Sequence, residues 1–137
     1  MIDQFRGDYA FLSNFHPSAV VHDGMQFATV EHAYQAAKAT NLGDRYKIQQ
    51  CKTPGQAKRM GATIPVREDW RTINFGVMKE LLRQKFLNPE LRTKLLETSG
   101  HELVEGNNWG DVFWGKVEGV GANHLGRLLM EVRKEIA

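Results

Sequence analysis

The sequence predicts an α+β fold that is predominantly α-helical, with a small β element, and three observations carry that expectation. Apolar residues recur at helical spacing through most of the chain beyond residue 29. A short hairpin signal rich in β-branched and aromatic residues precedes them. The length of 137 residues, 42% hydrophobic and 25% charged, suits one compact domain that buries a core of its own. No repeat, low-complexity stretch or Pro/Gly/Ser-rich linker divides the chain, so residues 1–137 are expected to form a single domain.

Each element has a local reason. Residues 5–27 mix aromatic and β-branched residues with turn formers; Val20-Val21 and Met25-Gln26-Phe27 flank His22-Asp23-Gly24, and Asp-Gly favours a tight hairpin turn. Thr29 is placed to cap a helix reaching about Thr40, Asp44 one over residues 45–51, and Thr53-Pro54 opens a third toward Gly61, with Pro in its first turn. The longest helix is expected from about Glu68 to Leu87, with Trp70, Ile73, Val77, Leu81 and Leu82 as its apolar stripe. Asn88-Pro89 stops it and starts a shorter helix that carries Leu91, Leu95 and Leu96 and ends at Gly100. A last helix follows Asn123, with Leu125, Leu128, Leu129, Val132 and Ile136 on one face. Between them, residues 106–126 hold six glycines, two tryptophans and Phe113.

A net charge of +2 conceals a segregation: residues 45–94 carry twelve Lys/Arg against four Asp/Glu, and the segments on either side are acidic. Such a block makes either a phosphate-attracting surface or a set of solvated helix faces. A single cysteine, Cys51, excludes an internal disulfide framework and a thiolate zinc site, and the five histidines show neither HxH nor HExxH spacing. No metal and no cofactor is therefore expected. Ser13 and Ser99 lack a G-x-S-x-G setting, which leaves serine hydrolase chemistry without support. The start lacks a basic n-region followed by an apolar run, and no uncharged stretch approaches the roughly 20 apolar residues a membrane span needs. A cytoplasmic protein without membrane association is the expectation.

Three constellations could carry chemistry. In Glu31-His32-Ala33-Tyr34-Gln35-Ala36-Ala37-Lys38, helical rotation gathers Glu31, Gln35 and Lys38 into one polar stripe, either a solvated edge or a presented site. In residues 106–115, Trp109, Phe113 and Trp114 lie among glycines around Asp111; they either fill a core beside a turn or form a platform on which a flat base stacks. Asp111 between aromatics is either desolvated or holds a ligand's donors. Residues 119–126 form a glycine-rich approach to the last helix, where free amides near Gly121 and Asn123 would favour an anion, although turns also use such sequences.

Four segments taken in order, residues 8–15, 31–39, 108–115 and 123–130, resemble the NADAR family, also called YbiA-like, over nearly the whole chain. The resemblance implies a compact helix-rich domain with a small β element and N-glycosidase activity. The substrate would be a ribosylated nucleobase or an ADP-ribosyl ligand, with ADP-ribosylated guanine in nucleic acid or nucleotide favoured and ADP-ribosylated nucleic acid a candidate partner. One branch of the family acts on early riboflavin-pathway ribosylamino-pyrimidine intermediates and tends to follow W-G with a longer glycine run. Here Lys116-Val117-Glu118 precedes Gly119, which points away from that branch. Carried over by motif, the resemblance implies Glu31, Lys38 and Asp111 as catalytic residues. It places Ser13, Asn14, Phe15, His32, Gln35, Trp109, Trp114, Gly121 and Asn123 as substrate contacts. The chemistry is consistent: cleavage of a ribose C–N bond develops positive charge at the anomeric carbon and negative charge on the base, which a carboxylate and a proton source relieve. Lys38 could instead form a Schiff base with the opened ribose. The alternative of another class is a non-catalytic module that binds ADP-ribose or nucleotides.

Overall fold

The computed structural model describes all 137 residues. It is mainly helical, with one two-stranded sheet, as the hydrophobic periodicity predicts. No helix is long and apolar enough to cross a membrane. The chain divides into two compact units, residues 14–85 and residues 1–13 with 86–137.

The first unit begins with a hairpin, β1 (Val20–His22) and β2 (Met25–Phe27), antiparallel with Val20 opposite Phe27. Asp23 and Gly24 both take positive φ, the conformation that a two-residue turn matching strand twist requires. Four helices follow: α1 (Val30–Ala37), α2 (Leu42–Gln49), α3 (Pro54–Gly61) and α4 (Trp70–Lys85). Helix α1 is the hub, packed against α2, α3, α4 and both strands, and all eight of its residues are buried. Its alanines at 33, 36 and 37 keep the neighbouring helices close. Thr29 and Thr53 cap α1 and α3 as expected, each accepting from the N–H three residues on.

Three expectations for this unit are corrected. Asn41, not Asp44, caps α2, which starts three residues earlier than expected; the Asn41 side-chain oxygen accepts from the Asp44 N–H at 2.8 Å. Helix α1 ends at Ala37, leaving Lys38 as its C-terminal cap. The buried face of α4 is Asn74, Met78, Leu81, Leu82 and Lys85, rotated from the expected stripe, with Trp70, Ile73 and Val77 only half-buried. Met78 turns inward beneath Asn14, whose Nδ2 donates to Met78 Sδ at 3.5 Å. Trp70 leans on Tyr34, ring centroids 5.0 Å apart.

The second unit joins the chain start to its last third. Ile2 pairs with the 102–104 segment through two backbone bonds of 2.8 Å, and a 3-10 helix over Gly7–Leu12, which the sequence did not suggest, follows. Helix α5 (Pro89–Glu97) is capped by Asn88 and ends before Gly100, in a turn where Gly100 takes positive φ. Helix α6 (His124–Ile136) packs on α5, and Arg133 fastens the turn after α5 by donating to the carbonyls of Thr98 and His101. Leu91, Leu95, Leu103, Leu125, Leu129 and Val132 make the core of this unit.

Candidate active site

Helix α1 builds the acidic part of the site. Glu31 lies one turn before Gln35, and the Gln35 Nε2 donates to Glu31 Oε1 at 2.9 Å, an i,i+4 bond that fixes the carboxylate against the helix. Glu31 is 8% exposed. Its own N–H donates to the main-chain carbonyl of Asn14, so the Asn14 segment and the carboxylate are joined through the helix start. Lys38, nearly one turn beyond Gln35 on the same stripe, is half-buried; burial lowers its pKa and the Glu31 charge opposes that shift. An amine held below the ordinary lysine value beside a carboxylate is the arrangement that nucleophilic amine chemistry needs.

Buried polar groups without partners are rare enough to require a cause. This unit has three: Asn14 Oδ1, Gln35 Oε1 and Arg45 Nε. Asn14 is itself buried, and its Nδ2 is spent on the Met78 thioether, so Oδ1 is a desolvated acceptor available to a donor. Arg45 lies with Arg67 along an open cavity of about 610 Å³ that also includes Ala39 and Thr40, immediately after Lys38. Both guanidiniums face carboxylates there, Arg45 to Asp23 at 2.9 Å and Arg67 to Asp69 at 2.6 Å. The Arg67 N–H also donates to the Lys38 carbonyl, tying the cavity wall to the end of α1.

His32, expected among the substrate contacts, is corrected to a core residue. It is 1% exposed, with Nδ1 2.7 Å from the Thr29 hydroxyl and Nε2 3.0 Å from the Cys51 carbonyl. A carbonyl only accepts, so Nε2 carries a proton and both ring nitrogens are committed to the fold. Phe15 is 42% exposed, and Ser13 ends the 3-10 helix, its N–H donating to the Ala10 carbonyl.

The aromatic loop belongs to the second unit. Trp109 is 55% exposed and Phe113 42%, which is far more than core rings show, while Trp114 is half-buried. Phe113 stands edge-on to Trp114 at 4.9 Å and to His124 at 4.7 Å. The Asp111 carboxylate organises this loop: Oδ1 accepts from the N–H groups of Phe113 at 3.0 Å and Trp114 at 2.9 Å, an Asx turn that sets the direction of the Trp114 ring. Asn107, which the sequence did not single out, braces Asp111 from the other side by accepting from its N–H and donating to its carbonyl. The readable signal was an asparagine four residues before an aspartate in a glycine-rich loop.

Asn123 is also corrected. Its side chain does not cap α6; it is 4% exposed, with Oδ1 accepting from the Glu105 N–H and Nδ2 donating to the Leu103 carbonyl, a strut between the 103–105 segment and the start of α6. Both ends of the amide are thereby engaged with the fold. Gly121 brings its backbone against the Gly115 carbonyl, where a Cβ would collide. No group of three or more His, Cys, Asp or Glu is placed to hold a metal ion.

The NADAR domain model matches residues 3–137. The chain is 39% identical to N-glycosidase YbiA of Escherichia coli over 134 residues, covering 95% of this chain and 83% of that protein. An NMR structure of the E. coli protein YbiA superposes with a TM-score of 0.84 at 36% identity, covering 99% of this chain and 86% of that one. A Vibrio vulnificus protein named riboflavin biosynthesis protein VVA0006 is 37% identical over 133 residues, covering 94% of this chain and 36% of that longer protein. By these matches along nearly its full length, the chain belongs to the NADAR domain family.

Proposed function

We propose that this protein is an N-glycosidase that hydrolyses the C–N bond between ribose and a heterocyclic base, with ADP-ribosylated guanine as its substrate. The observation that carries the reading is the α1 stripe, a buried Glu31 oriented by Gln35 and followed by a half-buried Lys38 of lowered pKa. The E. coli relative's name, N-glycosidase, supports the reaction class.

The Lys38 amine, deprotonated more readily than an exposed lysine, attacks the anomeric carbon. The C–N bond to the base breaks, its electron pair leaves with the base and a proton is returned to that nitrogen. The ribose ring opens to an imine, which water hydrolyses to free the amine and the sugar aldehyde. Glu31 stabilises the positive charge at the anomeric carbon and moves the proton. Asn14 Oδ1, buried and unpartnered, accepts a bond from a ribose hydroxyl or an amino group. In the second unit the exposed ring of Trp109 and the half-buried ring of Trp114 offer a stacking surface for a flat base, and Asp111 is a positioning residue of that loop because its Oδ1 is already engaged by two backbone donors. The guanidiniums of Arg45 and Arg67 are assigned to the phosphates, which would exchange with the Asp23 and Asp69 carboxylates that pair with them here.

A second substrate is favoured by one observation, the riboflavin-biosynthesis name of the Vibrio relative: an N-ribosylaminopyrimidine phosphate. Incubation with each substrate separately decides between them, and turnover of either separates an enzyme from a binding module. Borohydride added during turnover should leave a reduced sugar adduct on Lys38, visible as added mass, and Lys38→Arg should be inactive. A Lys38→Arg enzyme at near wild-type rate would return the chemistry to Glu31 and water.

A further inference from the structure

Gly61 ends α3, where it is buried against Gln35 of α1. Its φ is not positive, so the backbone does not demand glycine, and within a helix alanine is the better residue. What demands glycine is space. A Cβ at residue 61 would collide with the Gln35 side-chain oxygen and stand 2.7 Å from its Cδ and 3.0 Å from its Cβ. The Gln35 amide uses Nε2 on Glu31, and its buried Oε1 has no hydrogen-bond partner. No hydrogen-bond donor therefore fixes the oxygen end of this amide; it occupies the space that a side chain at residue 61 would fill.

We propose that Gly61 is a positioning residue for the glycosidase reaction: by lacking a side chain, it seats the Gln35 amide so that Nε2 meets the Glu31 carboxylate. This rests on reading Glu31 as the reactive carboxylate. Gly61 acts only through Gln35, and the orientation of a carboxylate on α1 is thereby set from α3. A methyl group at 61 turns the amide aside and releases Glu31 from its donor. Because near-attack geometry is lost with displacements of an ångström, the effect falls on the chemical step more than on binding.

The test compares wild type with Gly61→Ala, Gln35→Ala and the double variant, using an ADP-ribosylated guanine oligonucleotide and an N-ribosylaminopyrimidine phosphate. NMR of the Gln35 side-chain amide accompanies the kinetics. Gly61→Ala is expected to lower kcat about 10- to 100-fold with KM within about 3-fold, and to move the Gln35 amide resonances toward those of a solvated glutamine. In the Gln35→Ala background the same substitution should cost no more than about 2-fold further, since the group it strikes is gone. A Gly61→Ala enzyme at wild-type kcat, an unmoved Gln35 resonance, or a double variant whose loss is the product of the single losses would overturn the proposal. Should Gly61→Ala fail to fold, recovery of folding in the double variant supports the contact and its absence overturns it. If wild type cleaves neither substrate, the glycosidase reading fails, while the amide resonance and the folding comparison still decide whether Gly61 seats Gln35.

Discussion

Lys85 should make the stability of this protein rise with pH across neutral and mildly alkaline solution, the same direction as acid denaturation of paired carboxylates but in a window several pH units higher. Its side chain is fully buried at the end of α4, and burial lowers its pKa from 10.5 to about 7. In the unfolded chain the ammonium regains water and the higher value. Between those two values the unfolded state holds a proton that the folded state lacks, so stability rises with pH through that window. Below about pH 7 both states are protonated and the unfavourable contribution is complete. One proton gives a slope of about 1.4 kcal/mol per pH unit, and from about 7 to 10.5 this accumulates to about 5 kcal/mol. Lys85→Met keeps an unbranched apolar stem and removes the titrating group. Urea denaturation of both proteins from pH 6.5 to 9.5 should show the variant more stable by several kcal/mol near neutrality, with the gap closing by about 1 kcal/mol per unit as pH rises. Two parallel curves would refute the argument by showing that the buried group carries the same charge in both states, and a gap that widens with pH would refute it by showing that folding raises the pKa instead.

Two further expectations concern the aromatic loop. Asp111→Asn keeps an oxygen for the Phe113 and Trp114 amides and should retain activity within about 10-fold, whereas Asp111→Ala loses both bonds and about 1–2 kcal/mol of stability; an Asp111→Asn protein that melts like wild type but is inactive would restore an acid role. Trp114→Ala should weaken substrate binding by about 1–3 kcal/mol, measured by titration, with melting little changed; a variant that simply unfolds would place Trp114 in the core.

What the sequence made legible was whatever is decided within a few residues. The Asp23-Gly24 turn, the Thr29, Thr53 and Asn88 caps and the Glu31-Gln35-Lys38 stripe each depend on neighbours one helical turn away, and each stands where the pattern puts it. The remainder depends on partners far along the chain. His32 is absorbed by Cys51, 19 residues on, and Asn123 by Leu103 and Glu105, so two residues that read as ligand contacts became struts. The rotation of α4 was equally hidden: its buried face includes the polar Asn74 and Lys85 and packs against α1 and β1, which lie far back along the chain. Lys85 counted as part of a basic surface block, yet its place on that face carries it inside.

Helix α1 is held by three helices and both strands of its own unit, and all eight of its residues are buried, with Glu31 only 8% exposed. Reactive groups often ride on loops that open on their own, and such enzymes lose activity well before they melt. Here the carboxylate is anchored to the segment whose amide protons should be among the last of that unit to exchange with solvent, since releasing them requires dismantling three neighbouring helices. Inactivation by heat should therefore coincide with the melting of the unit, and residual activity can serve as a direct gauge of how much folded protein remains.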